Sequence, residues 1–406
     1  MSRHVRYYLI LFISISLGIV TGFFNQKIGM TVAEVVSTLF LNYLSMIAAP
    51  IVLLAILSTL INMRGLEQIK SLGRKVVTYT LITTVLASIV ALGVFLALDP
   101  VSSAQKGSEA LMQVEQPSYL HFLMEIIPSN IFKAFMENKV ISIAFLAFLF
   151  GIASHLLPEE PRNTLRKGFS ALFQLFLKIA GITSYVMPIA IWAFMALLVK
   201  EIQEHSAEVK GLWTYLSVVV LANLLQGIVV IPLLLKARGL SPWRIVKGAS
   251  KALLVAFFSK SSNATLPISL KVAKEELGIR PEVAHFTLPL CTVINMNGCA
   301  AFILTTVLFV AGLNGHLFSP LSLVFWVLMS VLAAVGNAGV PMGCFFLSSA
   351  FLISMHVPLT TMGLILPFYA LIDMEETALN VWSDLSVASI VDRECSALEE
   401  LQKQKL

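Results

Sequence analysis

The stretch 259-SKSSNATLPISLKVAKEELG-278 decides how the rest of the chain is read. Ser259, Lys260, Ser261, Ser262, Asn263 and Thr265 crowd together in a protein that is otherwise mostly oil. Of its 406 residues, 57% are hydrophobic and 13% charged, and the mean hydropathy is +0.86. Soluble domains carry about a quarter charged residues. Lipid offers the backbone no hydrogen-bond partner, so such chains cross it as apolar helices of about 20 residues. The composition is that of a polytopic helical membrane protein. Within it, the polar stretch is either a loop between spans or polar backbone carried into the bilayer.

The surroundings bear on that choice. Apolar segments lie near 7–24, 34–62, 76–98, 119–156, 165–199, 211–235 and 284–312, with less regular ones near 322–357 and 358–391. Basic residues concentrate in alternate loops: Arg64, Lys70, Arg74 and Lys75, then Arg162, Arg166 and Lys167, then Lys236, Arg238, Arg244, Lys247 and Lys251. Cytoplasmic loops carry surplus Lys and Arg, so this alternation places the N-terminus inside and predicts six consecutive spans. The opening MSRHVRYYLILFISISLGIVTGFF reads as a retained first span, not a cleaved signal. The net charge of +5 includes no basic block suited to nucleic acid. Residues 392–406 read as a polar cytoplasmic tail. Cys291, Cys299, Cys344 and Cys395 match no zinc spacing, and the expectation for the apolar three is buried free thiols.

After residue 251 the regularity breaks four times. The Ser-rich stretch is the first. The others are INMNGCA at 294–300, AAVGNAGVPMGC at 333–344 and LIDMEETALNVWSDLS at 371–386. Acidic residues at membrane depth cost about 2.5–3.5 kcal/mol each on insertion scales unless paired or functional. Broken helices occur at that depth where they line a cavity. Four such breaks in one third of the chain point to a solute site. In the last segment Asp373, Thr377, Asn380 and Asp384 are spaced four, three and four residues apart, which places them on one helical stripe. Glu376 flanks that stripe and Glu375 points nearly the opposite way. Two carboxylates, an amide and a hydroxyl suit an ammonium group and a desolvated hard cation.

At these residues the chain resembles the dicarboxylate/amino acid:cation symporter family, which includes the glutamate transporters and their archaeal homologues. SSNATLP resembles the serine-rich tip of the family's first re-entrant hairpin, and INMNG its broken-helix motif. GNAGVPMGC resembles the second hairpin tip, and DMEETALNVWSD the last-helix motif. IPSNIFKAFMENKVISIAFLAFLFGIA and EELGI add weaker support. The resemblance implies an all-α polytopic membrane protein with eight transmembrane helices and two oppositely entering re-entrant hairpins. It implies a trimerising scaffold (about 7–62 and 119–199) and an elevator-type transport domain (about 76–98 and 211–391). Residues 259–267 then become a hairpin tip that enters from the cytoplasmic side and ends at the substrate.

Carried over position by position, the resemblance makes Asp373 the receiver of the substrate's amino group and Asn380 the partner of its carboxylate. Thr377 and Cys299 line the pocket, with Ser261, Ser262 and Asn263 from the first hairpin and Gly339 and Val340 from the second. Asp384 supplies a sodium site completed by main-chain oxygens around Cys291, Asn295 and Asn380. A second sodium site is weaker: Asn297 replaces the family's aspartate, leaving Asn295, Thr83 and Thr84. At a third, Val293 stands where a threonine is usual, with main-chain oxygens near Val335 and Asn337 remaining. Losing a buried negative charge weakens a cation site substantially.

The largest departure is Glu376. Family members carrying acidic substrates have an arginine there, and a glutamate repels a second carboxylate. A neutral or basic amino acid is therefore the expected substrate, with Na⁺ as coupling ion and no other cofactor. Proton coupling through Glu375 or Glu376 is one alternative, and a sensor that has lost transport is another. Lys260 is expected to pair with the acidic cluster on the last helix. If it neutralises Glu376, small polar amino acids fit; if Glu376 is free, arginine or lysine fits. Enzyme chemistry is disfavoured, because His285 and His356 lie away from the polar cluster. The lipid bilayer and a homotrimer are the expected partners, and a bacterial inner membrane the expected location.

Overall fold

The computed structural model describes residues 3–24, 27–62, 70–105, 127–136, 140–204, 206–337 and 342–403, and every regular element among them is a helix. In chain order these are α1 (Arg3–Phe24), α2 (Lys27–Asn62), α3 (Lys70–Leu98), α4 (Pro100–Gln105), α5 (Ile131–Met136), α6 (Val140–His155), α7 (Glu159–Glu204) and α8 (Ser206–Leu225). A π-helical turn, Gln226–Val230, leads into α9 (Ile231–Ala237). Then come α10 (Pro242–Ser259), α11 (Ser262–Glu275), α12 (Pro281–Ile294), α13 (Asn297–Leu313), α14 (Pro320–Gly336), α15 (Gly343–Ser354) and α16 (Thr360–Lys403).

Among the described residues, Leu72–Ser103, Lys210–Ala237 and Pro281–Leu313 are long and apolar enough to cross a bilayer. The most apolar stretch of the last of these is 94% buried inside the protein. Outer helices instead present large apolar side chains to the surroundings, such as Phe12 and Phe23 on α1, Leu39 on α2 and Tyr185 on α7. That is the surface a lipid solvent selects. Of the apolar segment 119–156, residues 119–126 and 137–139 lie outside the described residues, and α5 and α6 account for 131–136 and 140–155. α7 and α16 have 46 and 44 residues, more than the roughly 20 that a bilayer core requires.

The Ser-rich stretch is a helix–tip–helix. α10 ends where Lys260 turns left-handed (φ 53°), and its N–H closes on the Ala256 carbonyl at 2.9 Å. Ser261 then caps α11, its Oγ accepting from the Ala264 N–H at 3.2 Å. A side-chain cap followed by apolar positions is a helix start, which explains why the chain reverses there. The two arms pack on each other and on α16. At their open end Lys251 Nζ donates to Glu276 Oε1 at 2.8 Å, and Gly278 takes the left-handed conformation (φ 70°) that ends the second arm. α14 and α15, which flank residues 338–341, both pack on α13.

Candidate functional site

The site forms where a broken helix meets α16. α12 stops at Ile294, Asn295 and Met296 leave helical geometry, and α13 begins at Asn297. Asparagine side chains compete for backbone hydrogen bonds and glycine lowers helix propensity, so Asn-Met-Asn-Gly is a sequence that lets a helix open. Gly298 is also required sterically. A Cβ there would lie 2.8 Å from Glu376 Cα and 3.0 Å from its Cβ. Its absence lets α13 start directly against α16. The Gly298 N–H then donates to Asn380 Oδ1 at 2.9 Å, so a side chain of α16 satisfies one of the orphan donors of α13.

Asn295 is the hub of the deeper half. Its Oδ1 accepts from Thr83 Oγ1 at 2.9 Å and from Asn297 Nδ2 at 3.4 Å. Its Nδ2 donates to Asp384 Oδ1 at 2.9 Å and Ser383 Oγ at 3.0 Å. The Cys291 carbonyl accepts from the Asn295 N–H at 2.8 Å. Thr83, Asn295, Asn297, Ser383 and Asp384 are all buried, and Asn297 Oδ1 has no hydrogen-bond partner. A buried, oxygen-rich cluster with one carboxylate suits a hard cation. The π turn serves this cluster: Gln226 Nε2 donates to the Thr83 carbonyl at 3.0 Å, and Gly227 O accepts from Trp382 Nε1 at 3.0 Å. Wide turns of this kind release carbonyls from the helical ladder. Thr84 instead bonds within its own helix, Oγ1 to the Thr80 carbonyl at 2.8 Å.

The shallower half holds the acidic residues. Glu376 is 1% exposed, and neither of its carboxylate oxygens has a hydrogen-bond partner. Lys260 and Asp373 interact electrostatically. The expected pairing of Lys260 with the acidic cluster therefore falls on Asp373, one stripe position from Glu376. Thr377 is buried, and its Oγ1 donates to the Asp373 carbonyl at 2.7 Å. Asn380 Nδ2 faces Met296 Sδ at 3.5 Å and Cys299 Sγ at 3.6 Å.

The structure places the expected residues as follows. Asn263 is exposed while Ser262 and Thr265 are buried, because positions three apart share a helix face and Asn263 lies about 100° away from it. Ser261 is occupied with capping. Cys299 and Cys344 are not free thiols; they are paired, with Cα atoms 5.4 Å apart, whereas Cys291 and Cys395 are free. The pairing was hidden because the partners are 45 residues apart. Gly339 and Val340 lie outside the described residues. The polar tail is the end of a helix: α16 runs on to Lys403, and Asp392 accepts from Arg280 Nε at 2.8 Å. Ser383, Asn337 and Cys344 enter the site through side chains that the spacing did not single out. Ser383 sits one residue from Asp384, off the stripe, and meets Asn295 across the contact between the opened helix and α16.

A model of the sodium:dicarboxylate symporter family matches residues 8–394. The chain belongs to that family. It is therefore a membrane symporter by family, and the family is one of transporters rather than enzymes. The chain is 25% identical to the neutral amino acid transporter B(0) of Oryctolagus cuniculus over 89% of its own length and 73% of the relative's. It is 25% identical to the proton/glutamate-aspartate symporter of Escherichia coli (strain K12), covering 84% and 80% of the two chains. To the L-cystine uptake protein TcyP of Bacillus subtilis (strain 168) it is 24% identical, covering 98% and 91%.

Proposed function

We propose that this symporter moves an amino acid with a basic or neutral side chain, coupled to Na⁺. One observation carries the substrate class: Glu376 is a buried carboxylate with both oxygens unbonded. An unpaired carboxylate at that depth is costly unless a cation meets it, and a substrate's ammonium or guanidinium supplies one. Lys260 interacts electrostatically with Asp373, while both Glu376 oxygens stay without a hydrogen-bond partner. Relatives named for neutral amino acid transport and for cystine uptake agree with a pocket that is not restricted to acidic solutes. Asp373 receives the α-amino group in exchange for Lys260, Asn380 orients the carboxylate, and the Asn295–Asp384 cluster holds Na⁺.

The architecture that goes with this reading has eight spans and two re-entrant hairpins, 259–267 being the tip of the first. A scaffold of about 7–62 and 119–199 trimerises, and a transport domain of about 76–98 and 211–391 moves. The termini lie in the cytoplasm of a bacterial cell, and the protein sits in its inner membrane.

The test is uptake into proteoliposomes of labelled arginine, serine and glutamate, under an imposed Na⁺ or H⁺ gradient. Arginine or serine uptake that requires Na⁺ supports the reading, and a preference for glutamate overturns it. A second reading rests on Glu375, whose Oε1 is also buried without a partner. Two buried carboxylates on adjacent positions, each with an unbonded oxygen, can carry a proton. Uptake driven by an H⁺ gradient alone favours that reading. No uptake of any amino acid, with binding retained, identifies a sensor.

A further inference from the structure

We propose that Cys299 and Cys344 form a redox-controlled latch that seals the substrate pocket. The proposal rests on reading that pocket as the transport site. Cys299 is the third residue of α13, just past the opened backbone, and Cys344 the second residue of α15. Their Cα separation of 5.4 Å falls within the usual range for bridged cysteines. The pair is not remote from the chemistry. One carboxylate oxygen of Glu376 and the two sulfurs lie within 4.8 Å of one another. Asn337 Nδ2 donates to Cys299 Sγ at 3.2 Å and to Cys344 Sγ at 3.5 Å, and Asn380 reaches Cys299 from α16. The bond therefore joins the broken helix to the start of α15, directly beside the carboxylate proposed to meet the substrate.

Burial gives the bond its consequence. Cys299, Cys344, Gly343, Asn337, Glu376 and Asn380 are all buried. No solute reaches Glu376 or Asn380 from outside unless elements packed over them separate. The first turn of α15 lies against α13 at this point, and a covalent link between them prevents that separation. Reduced, the two elements are held by packing alone and can part. The chemistry is thiol–disulfide exchange with a small-molecule disulfide, RSSR. With the pocket open, one cysteine thiolate attacks RSSR, forming a mixed disulfide and releasing RS⁻, which takes up the proton lost by that thiol. On closure the second thiolate attacks the protein-side sulfur and releases the other RS⁻, which is likewise protonated. Two electrons pass from the cysteine pair to RSSR, which leaves as two RSH.

The protein is purified in reductant, and one half is then treated with a dipyridyl disulfide before reconstitution. Denaturation, alkylation and digestion of the treated half, read by mass, should show Cys299 and Cys344 joined to each other, whether the half-exposed Cys395 is alkylated or carries a pyridyl adduct. Hydrogen exchange of peptides covering α15 and the start of α13 should slow in the treated half. Uptake should fall at least about tenfold there. Cys344→Ser and Cys344→Ala should each show the same exchange and the same uptake with and without the oxidant. Two variants guard against one that fails to fold. Cys299 and Cys344 left unjoined after treatment overturn the proposal. So does a formed bond that changes neither exchange nor uptake. Absence of uptake in every preparation counts against the transport reading alone, because the exchange measurement still decides whether the bond closes the pocket.

Discussion

At the scale of the residue, Glu376 and Asp384 are two buried carboxylates with opposite surroundings. Asp384 is held by the Asn295 amide at 2.9 Å, whereas Glu376 has no partner among the described residues. A carboxylate already oriented by an amide is a ligand in waiting, and one left bare asks for a cation from outside. Two expected outcomes follow. Glu376→Gln should lose the preference for arginine over serine by about tenfold or more, the equivalent of about 1.4 kcal/mol. Glu376→Arg should move the preference toward glutamate, since a guanidinium binds a side-chain carboxylate bidentately. Competition uptake with the three amino acids reads both. Asp384→Asn keeps the size and the amide contact but removes the cluster's one formal negative charge. The Na⁺ concentration for half-maximal binding should rise at least about tenfold, and isothermal titration with Na⁺ at constant ionic strength checks it.

At the scale of the element, the decisive feature is that α12 and α13 are two helices inside one apolar run. The opening at Asn295 and Met296 exposes backbone that α16 then satisfies, through Asn380 on the Gly298 N–H. Gly298→Ala tests this junction. The new methyl would meet the backbone of Glu376 at 2.8 Å, and backbone cannot swing aside as a side chain can. The variant should lose about 1–3 kcal/mol of stability through overpacking. Substrate affinity should fall with it, because α13 and α16 must separate where the pocket is built. Thermal unfolding in detergent together with a binding isotherm separates this from a surface effect, which would move neither.

At the scale of the whole molecule, one end of α16 gathers charges from distant parts of the chain. Glu394 meets Arg238 Nη1 at 3.2 Å and Lys75 Nζ at 3.5 Å, and accepts from the Tyr79 hydroxyl. Asp392 binds Arg280 Nε at 2.8 Å, and its carbonyl accepts from Arg280 Nη2 at 3.0 Å. α3, α9, the start of α12 and α16 are thereby fastened together at one end. They also share one apolar cluster with the first hairpin, including Val76, Ile231, Leu235, Ala249, Val272 and Leu385. These partly exposed pairs are individually weak, but they form a network. Glu394→Ala should lower stability by about 1 kcal/mol and should weaken the dependence of unfolding on salt. Thermal melts of wild type and variant across an ionic-strength series measure both.

The sequence by itself determined the solvent and the breaks. Hydropathy is summed along the chain, so an all-helical membrane protein is legible from composition alone. A polar or glycine-bearing motif inside an apolar run also declares itself locally. That is why the helix–tip–helix at 259–275 and the opening at Asn295–Met296 stand where the motifs place them. The stripe on the last helix was legible for the same reason, since a helix fixes which of its own residues align. What only the tertiary structure decided is which groups meet across elements. Nothing in the spacing brings Cys299 to Cys344, or Lys260 to Asp373 while both Glu376 oxygens stay without a hydrogen-bond partner. Nor does it set Ser383 beside Asn295, or turn Asn263 outward. Each of these depends on the rotation and offset of one packed helix against another, which side-chain interlocking sets to within an ångström and which no single segment encodes.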